Sequence, residues 1–161
     1  MKPYNESPAH RLRSAYLRMH RATNRVFRPY GVTADQYVVL RFLSEGDGMS
    51  QQELASLCAS DPTTLGRMLD LLEAKNFLER RQHPEDRRTR LVFLRDEGRD
   101  MVEQLYEVAE PIRSLIDEVV SGAAMKSLLR GLSQLSDAFA AIEAGSARLE
   151  PKIGTKSPLS S

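Results

Sequence analysis

The spacing of apolar residues changes character at Asn76. Upstream, Leu65, Met68, Leu69 and Leu72 recur at i, i+3, i+4 and i+7, one face of a helix. Downstream, residues 77–82 and 89–94 read as two strands around a polar tip containing Pro84. A helix running straight into a hairpin leaves few folds open. Asp61 and Pro62, a cap residue before a proline that donates no amide, start that helix, with Thr63, Thr64 and Arg67 on its polar face. Ser50 and Glu53 have capping-box spacing and start a shorter helix, with Leu54, Ala55, Leu57 and Cys58 inward. Only a few residues, Ala59 and Ser60 among them, separate the two. Two helices, a tight turn and a hairpin make a winged helix-turn-helix.

The flanks are helical. Ser7 and Pro8 open a helix with an apolar stripe at Leu12, Ala15, Tyr16, Met19, Thr23, Val26 and Phe27, stopped by Pro29 and Gly31. Arginines 11, 18, 21, 25 and 28 fall on its other side. Thr33 and Gln36 open a second helix, apolar on most sides and so expected to be buried. After the hairpin, Asp96 is expected to cap a long helix that Pro111 bends or breaks. A last helix carries Met125, Leu128, Leu129, Leu132, Leu135, Phe139 and Ile142. The expected organisation is an N-terminal dimerisation helix over residues 1–31, a winged lobe over 32–95, C-terminal dimerisation helices over 96–145, and a disordered tail over 146–161. With 161 residues, 41% of them hydrophobic, the chain is long enough for one domain and too short for two. The fold class is mainly α with a small β-hairpin. The long helices carry more apolar surface than the lobe can cover, which predicts a homodimer.

The net charge of +1 hides an asymmetry. Residues 1–31 hold seven Lys and Arg against one acid, and residues 96–150 hold five against eleven. One part is suited to an anionic partner. No apolar run reaches the roughly 20 residues that cross a bilayer, and no secretion signal is evident, so no membrane partner and a cytoplasmic location are expected. A single cysteine and three histidines, at 10, 20 and 83, predict neither disulfide nor metal site nor cofactor. Without a glycine-rich phosphate loop or a nucleophile signature, no enzyme is expected.

The segments "GVTADQYVVLRFLSEGDGMSQQELASL" and "DPTTLGRMLDLLEAKNFLERRQHPEDRRTRLVFLRDEGR", with their flanking helices, resemble the MarR (multiple antibiotic resistance regulator) family of bacterial transcription factors over about residues 10–145. The most specific match is the wing: Asp86, Arg87 and Arg88, an alternating strand, then Gly98 and Arg99 opening the next helix. The chain departs from the family at Arg95, where a Ser or Thr is usual, and at Asn76, where a glycine is usual. The resemblance implies a dimeric regulator, a repressor by family habit, on palindromic double-stranded DNA. Physical chemistry stands beside it. Short hydroxyls and one long donor belong in the first turns of a groove-reading helix, where Thr63, Thr64 and Arg67 lie. Gln51 and Ser60 are candidates for backbone contacts, and the helix start itself can face a phosphate. An arginine at a hairpin tip suits the narrow, electronegative minor groove. Arg87 or Arg88 is the candidate, with Asp86 orienting one of them. Arg90 would touch phosphate or pair with Glu79.

Many members of that family release DNA on binding small aromatic or phenolic acids. Tyr16, His20 and Tyr37, with Arg13 as a carboxylate partner, are the candidate effector residues here. Other members sense oxidants through cysteine, which makes a redox role for Cys58 the alternative. A winged-helix protein–protein adaptor would use the same fold with its basic tip idle.

Overall fold

The computed structural model describes residues 3–148. Its first four α-helices begin where the sequence supplies caps. The Ser7 hydroxyl accepts the His10 amide at 3.2 Å and opens α1, Pro8–Phe27. A 3-10 turn, Arg28–Tyr30, and Gly31 at φ +66° end it. Thr33 and Gln36 form a reciprocal capping box for α2, Ala34–Glu45. Ser50 and Glu53 form another for α3, Gln51–Leu57. Asp61 accepts the Thr64 amide at 2.9 Å and opens α4, Pro62–Ala74. Asn76, at φ +62°, turns the chain out of α4 in the left-handed conformation that asparagine tolerates.

The hairpin follows as β2, Leu78–Gln82, and β3, Arg90–Leu94, with Leu78 opposite Leu94 and Gln82 opposite Arg90. A third strand, Met49–Ser50, pairs with the other edge of β3. Numbered β1, it gives the antiparallel order β1-β3-β2. Two residues are too few to alternate, so periodicity could not announce it.

Beyond the sheet come α5, Asp96–Val108, α6, Glu110–Val119, and α7, Gly122–Glu143. The expected break falls at Ala109, two residues before Pro111, whose ring nitrogen has no hydrogen to donate back to the preceding turn. The start of α5 differs from expectation. Arg95, not Asp96, holds the cap position, with extended backbone and no side-chain cap; Asp96 and Glu97 sit inside the first turn, where their charge suits the helix dipole. Gly98 permits the close strand-to-helix approach, since a Cβ there would lie 2.1 Å from the Phe77 carbonyl oxygen.

One core unites α1 to α5 with the sheet: Phe27, Leu40, Leu43, Leu54, Leu65, Leu69, Leu72, Leu78, Val92 and Leu105 are fully buried. Leu57, expected inward, is exposed, and Cys58 is half-buried. A first compact unit extends to Leu115 and a second begins at Ile116, a division that cuts the 96–145 segment. Within the second unit, α7 buries no residue, so its apolar stripe from Leu128 to Phe139 is bare. Most of the expected tail, from residue 149 on, lies outside the described residues. No helix among the described residues is long and apolar enough to cross a membrane.

Candidate nucleic-acid interface

Because Leu65, Leu69 and Leu72 turn α4 inward, its first two turns present Thr63, Thr64 and Arg67 to solvent, all exposed. The start of the helix departs from expectation. Asp61 already takes the Thr64 amide, its carboxyl is held below the usual range by hydrogen bonding to Thr64, and Pro62 brings no N–H. An acid therefore sits where a phosphate was expected to face α4. Ser60, half-buried, donates its hydroxyl to the Asp61 carbonyl at 3.3 Å. Gln51 stands in the first turn of α3 and, with Ser50, Gln52, Arg88, Thr89 and Arg90, lines an open groove between that helix and the hairpin.

The arginines of the hairpin divide into two groups. At the root, Arg80 reaches back to α4, bonding Asp70 at 2.7 Å and both oxygens of Glu73. The Arg80 guanidinium holds the Glu73 carboxyl below its ordinary range, and the guanidinium's own pKa rises in return. Arg81 pairs with Glu79 and lies 4.5 Å from the Phe93 ring centre. Arg95 donates to Asn76 Oδ1 at 2.6 Å and to Glu79 Oε2 at 2.8 Å. Glu79 is thus taken by Arg81 and Arg95, so its expected pairing with Arg90 does not form.

At the tip, no guanidinium is held. The Arg88 amide donates to Asp86 Oδ1 at 2.9 Å, and the Thr89 hydroxyl donates to Oδ2 at 2.7 Å. Hydrogen bonding to Thr89 keeps the Asp86 carboxyl below the usual range. Asp86 was expected to orient an arginine side chain; it orients the turn backbone instead, a local bond open to a short acid in a turn. His83 Nδ1 accepts the Glu85 and Asp86 amides at 3.1 and 3.2 Å, and Gln82 donates to the Arg87 carbonyl at 2.9 Å. Among the described residues, the arginines of the lobe with no carboxylate partner are Arg67, Arg87, Arg88 and Arg90.

The effector candidates separate. Tyr16 and His20 lie together, ring centres 5.5 Å apart. The Ala34 amide donates to Asn24 Oδ1 at 2.8 Å, so Asn24 Nδ2 faces His20 Nδ1 at 3.1 Å. That ring nitrogen must accept, leaving Nε2 to donate to Asp35 at 3.1 Å. Tyr16 borders a cleft with Asp35, Val38, Cys58, Thr64 and Met68, and burial followed by the nearby Asp35 charge pushes its phenol pKa up. Tyr37 is elsewhere, edge-on to Phe27 at 5.0 Å, and Arg13 is exposed and does not line the cleft. Burial pushes the Cys58 thiol up to about 11, away from the thiolate that oxidant sensing needs. Among the described residues no group of three His, Cys, Asp or Glu could hold a metal.

A capped short helix, a second helix with an exposed polar face and an arginine-tipped hairpin define a winged helix-turn-helix DNA-binding protein. Comparison with known proteins agrees. The MarR family pattern matches residues 32–89. YdcH of Bacillus subtilis, an uncharacterised HTH-type transcriptional regulator, is 30% identical over 137 residues, 81% of this chain and 90% of its own. BpsR of Bordetella bronchiseptica, solved for the regulation of its DNA binding by 6-hydroxynicotinic acid, superposes with TM-score 0.78 at 28% identity, over 85% of this chain and 98% of that one. A mutant MarR of E. coli complexed with operator DNA gives TM-score 0.74 at 26% identity, over 84% and 99%. The chain belongs to the MarR family of transcriptional regulators.

Proposed function

We propose that this regulator acts as a homodimer on a pseudo-palindromic duplex, as a repressor that a small-molecule effector releases. The observation that carries the DNA reading is the division of the arginines. Those at the hairpin root are paired with acids, while the free ones sit on the outer side of α4 and at or beside the tip. Free guanidinium groups are the ones available to bases and phosphates. In this reading α4 enters the major groove with Thr63, Thr64 and Arg67, and Arg87 or Arg88 enters the adjacent minor groove. Gln51 and Arg90, across one groove, take a phosphate, and Ser60 steadies the entry to α4.

The dimer reading rests on the apolar faces of α1, α6 and α7, which carry exposed Leu12, Met19, Leu115, Val119, Leu129 and Phe139. Two reading helices would then lie about one helical turn, roughly 34 Å, apart. Repression and effector release rest on kinship. A ligand between Tyr16 and Met68 would touch Thr64 on the reading helix. With Asp35 and Asp61 at its border and Arg13 outside, that cleft favours an uncharged aromatic molecule over an aromatic acid.

Selection of bound fragments from random duplexes tests the reading. The expected product is a pseudo-palindrome whose affinity falls steeply with salt. Arg67→Ala should cost about 1–3 kcal/mol and relax one base position in each half-site, whereas Arg87→Ala with Arg88→Ala should weaken all sites alike and flatten the salt slope. Wild-type binding by both variants would overturn the assignment.

A further inference from the structure

Among the described residues, Arg87 and Arg88 have no hydrogen-bond or ion-pair partner outside the hairpin, so their direction depends on how the hairpin is held at its root. We propose that Asp47 and Arg99 are positioning residues that aim the wing, fixing the end of β3 to the start of α5. The proposal rests on the reading that the wing tip meets DNA.

The sheet edge beside β3 is unfinished. β1 stops after Met49 and Ser50, which lie opposite Val92 and Leu91. Extended by the same register, residue 47 would lie opposite Leu94. No backbone carbonyl arrives there; the Leu94 amide donates to Asp47 Oδ1 at 2.7 Å instead. The other carboxylate oxygen of Asp47 accepts Arg99 Nη2 at 2.6 Å, across 52 residues of chain. One side chain thus completes the edge of β3 and holds the first turn of α5. Gly48, at φ +78°, donates its amide to the Val92 carbonyl at 3.1 Å and keeps the loop against the strand.

A second set of bonds spans the other side of the root. Arg95 joins Asn76 and Glu79, and Asn76 Nδ2 donates to Glu97 Oε1 at 2.8 Å. Between the two sets, Gly98 brings α5 against the Phe77 carbonyl. The wing is therefore a lever bolted on both sides at one end. Strands of five residues reach about 17 Å at about 3.4 Å per residue. A tilt of about ten degrees at the root moves the tip by about 3 Å, more than a hydrogen bond tolerates. Asp47 and Arg99 are both partly exposed, so they contribute aim more than core.

The test is a thermodynamic cycle on the full chain, using the duplex selected above and fluorescence anisotropy. Asp47→Asn and Arg99→Gln should each weaken binding about tenfold, and the loss should fall below about twofold in a background lacking Arg87 and Arg88. In an Arg67→Ala background the tenfold loss should persist. Circular dichroism and thermal melting confirm folding, and should Asp47→Asn fail to fold, Arg99→Gln alone carries the cycle. A clamp variant that binds like wild type, or whose loss adds in full to removal of the tip, overturns this proposal alone. A tip-less protein that binds like wild type overturns it together with the reading that the wing tip meets DNA.

Discussion

Helices α1 and α4 start with the same grammar, a cap residue followed by proline, and both carry an apolar stripe at helical spacing. Their fates differ. In α4, Leu65, Leu69 and Leu72 are 0% exposed; in α1, Leu12, Tyr16 and Met19 remain 40%, 51% and 43% exposed. Only the last turn of α1, at Phe27, reaches the core. The spacing of apolar residues fixes which face of a helix is apolar, not what covers it. One chain covers α4, and the bare stripe of α1 is what the proposed second copy would bury.

The largest expected effect breaks the covered side. Leu69→Ala removes a fully buried side chain among Leu65, Leu72 and the sheet, and should cost about 2–5 kcal/mol by urea denaturation. The same truncation at Leu12 should cost well under half of that in the isolated chain. Equal losses at the two sites would mean that α1 is covered within the chain.

A smaller effect sharpens what holds α4 to the hairpin. Arg80, with 16% of its side chain exposed, ties β2 to Glu73 and Asp70. Arg80→Met should cost about 1 kcal/mol near neutral pH, because the acids it leaves behind are partly solvated and screened. The pH dependence has a definite sign. Glu73 titrates lower in the folded chain than its ordinary 4.5, so its contribution is fully present above that value and is lost as pH falls through the lowered one. The stability gap between wild type and variant should therefore close on acidification below the carboxylate range. A gap constant across that range would mean that Arg80 acts by packing alone.

The two helices also show how much could be read from residues alone. Most caps, the left-handed Asn76 and the exposed polar face of Thr63, Thr64 and Arg67 were legible because each depends on neighbours within a turn. What escaped depends on distance. Arg95, not Asp96, stands at the cap of α5, and its side chain is held by Asn76 and Glu79, 19 and 16 residues away. Glu79 was unavailable to Arg90 for the same reason. Asp47 carried no signal, since a loop acid gains meaning only when Leu94 and Arg99 fold against it. Tyr37 was grouped with Tyr16 as a polar-tipped side chain of the first two helices, yet α2 turns it toward Phe27 and away from the cleft.

The smallest expected change in folding stability tests the bare side directly. Leu12→Lys and Met19→Lys together place two charges on the α1 stripe. If that stripe faces water in the single chain, the stability extrapolated to high dilution should move by no more than about 0.5 kcal/mol per site, as for ordinary surface positions. Association should respond in the opposite proportion. A charge buried without a partner in an apolar interface is costly, so sedimentation should report one chain where the proposed wild-type dimer would give two. The melting temperature should also lose its dependence on protein concentration, because that dependence exists only while folding is linked to assembly. A variant that keeps its mass but loses several kcal/mol at every concentration would place the cover of α1 within its own chain, and the contrast with α4 would then be one of degree.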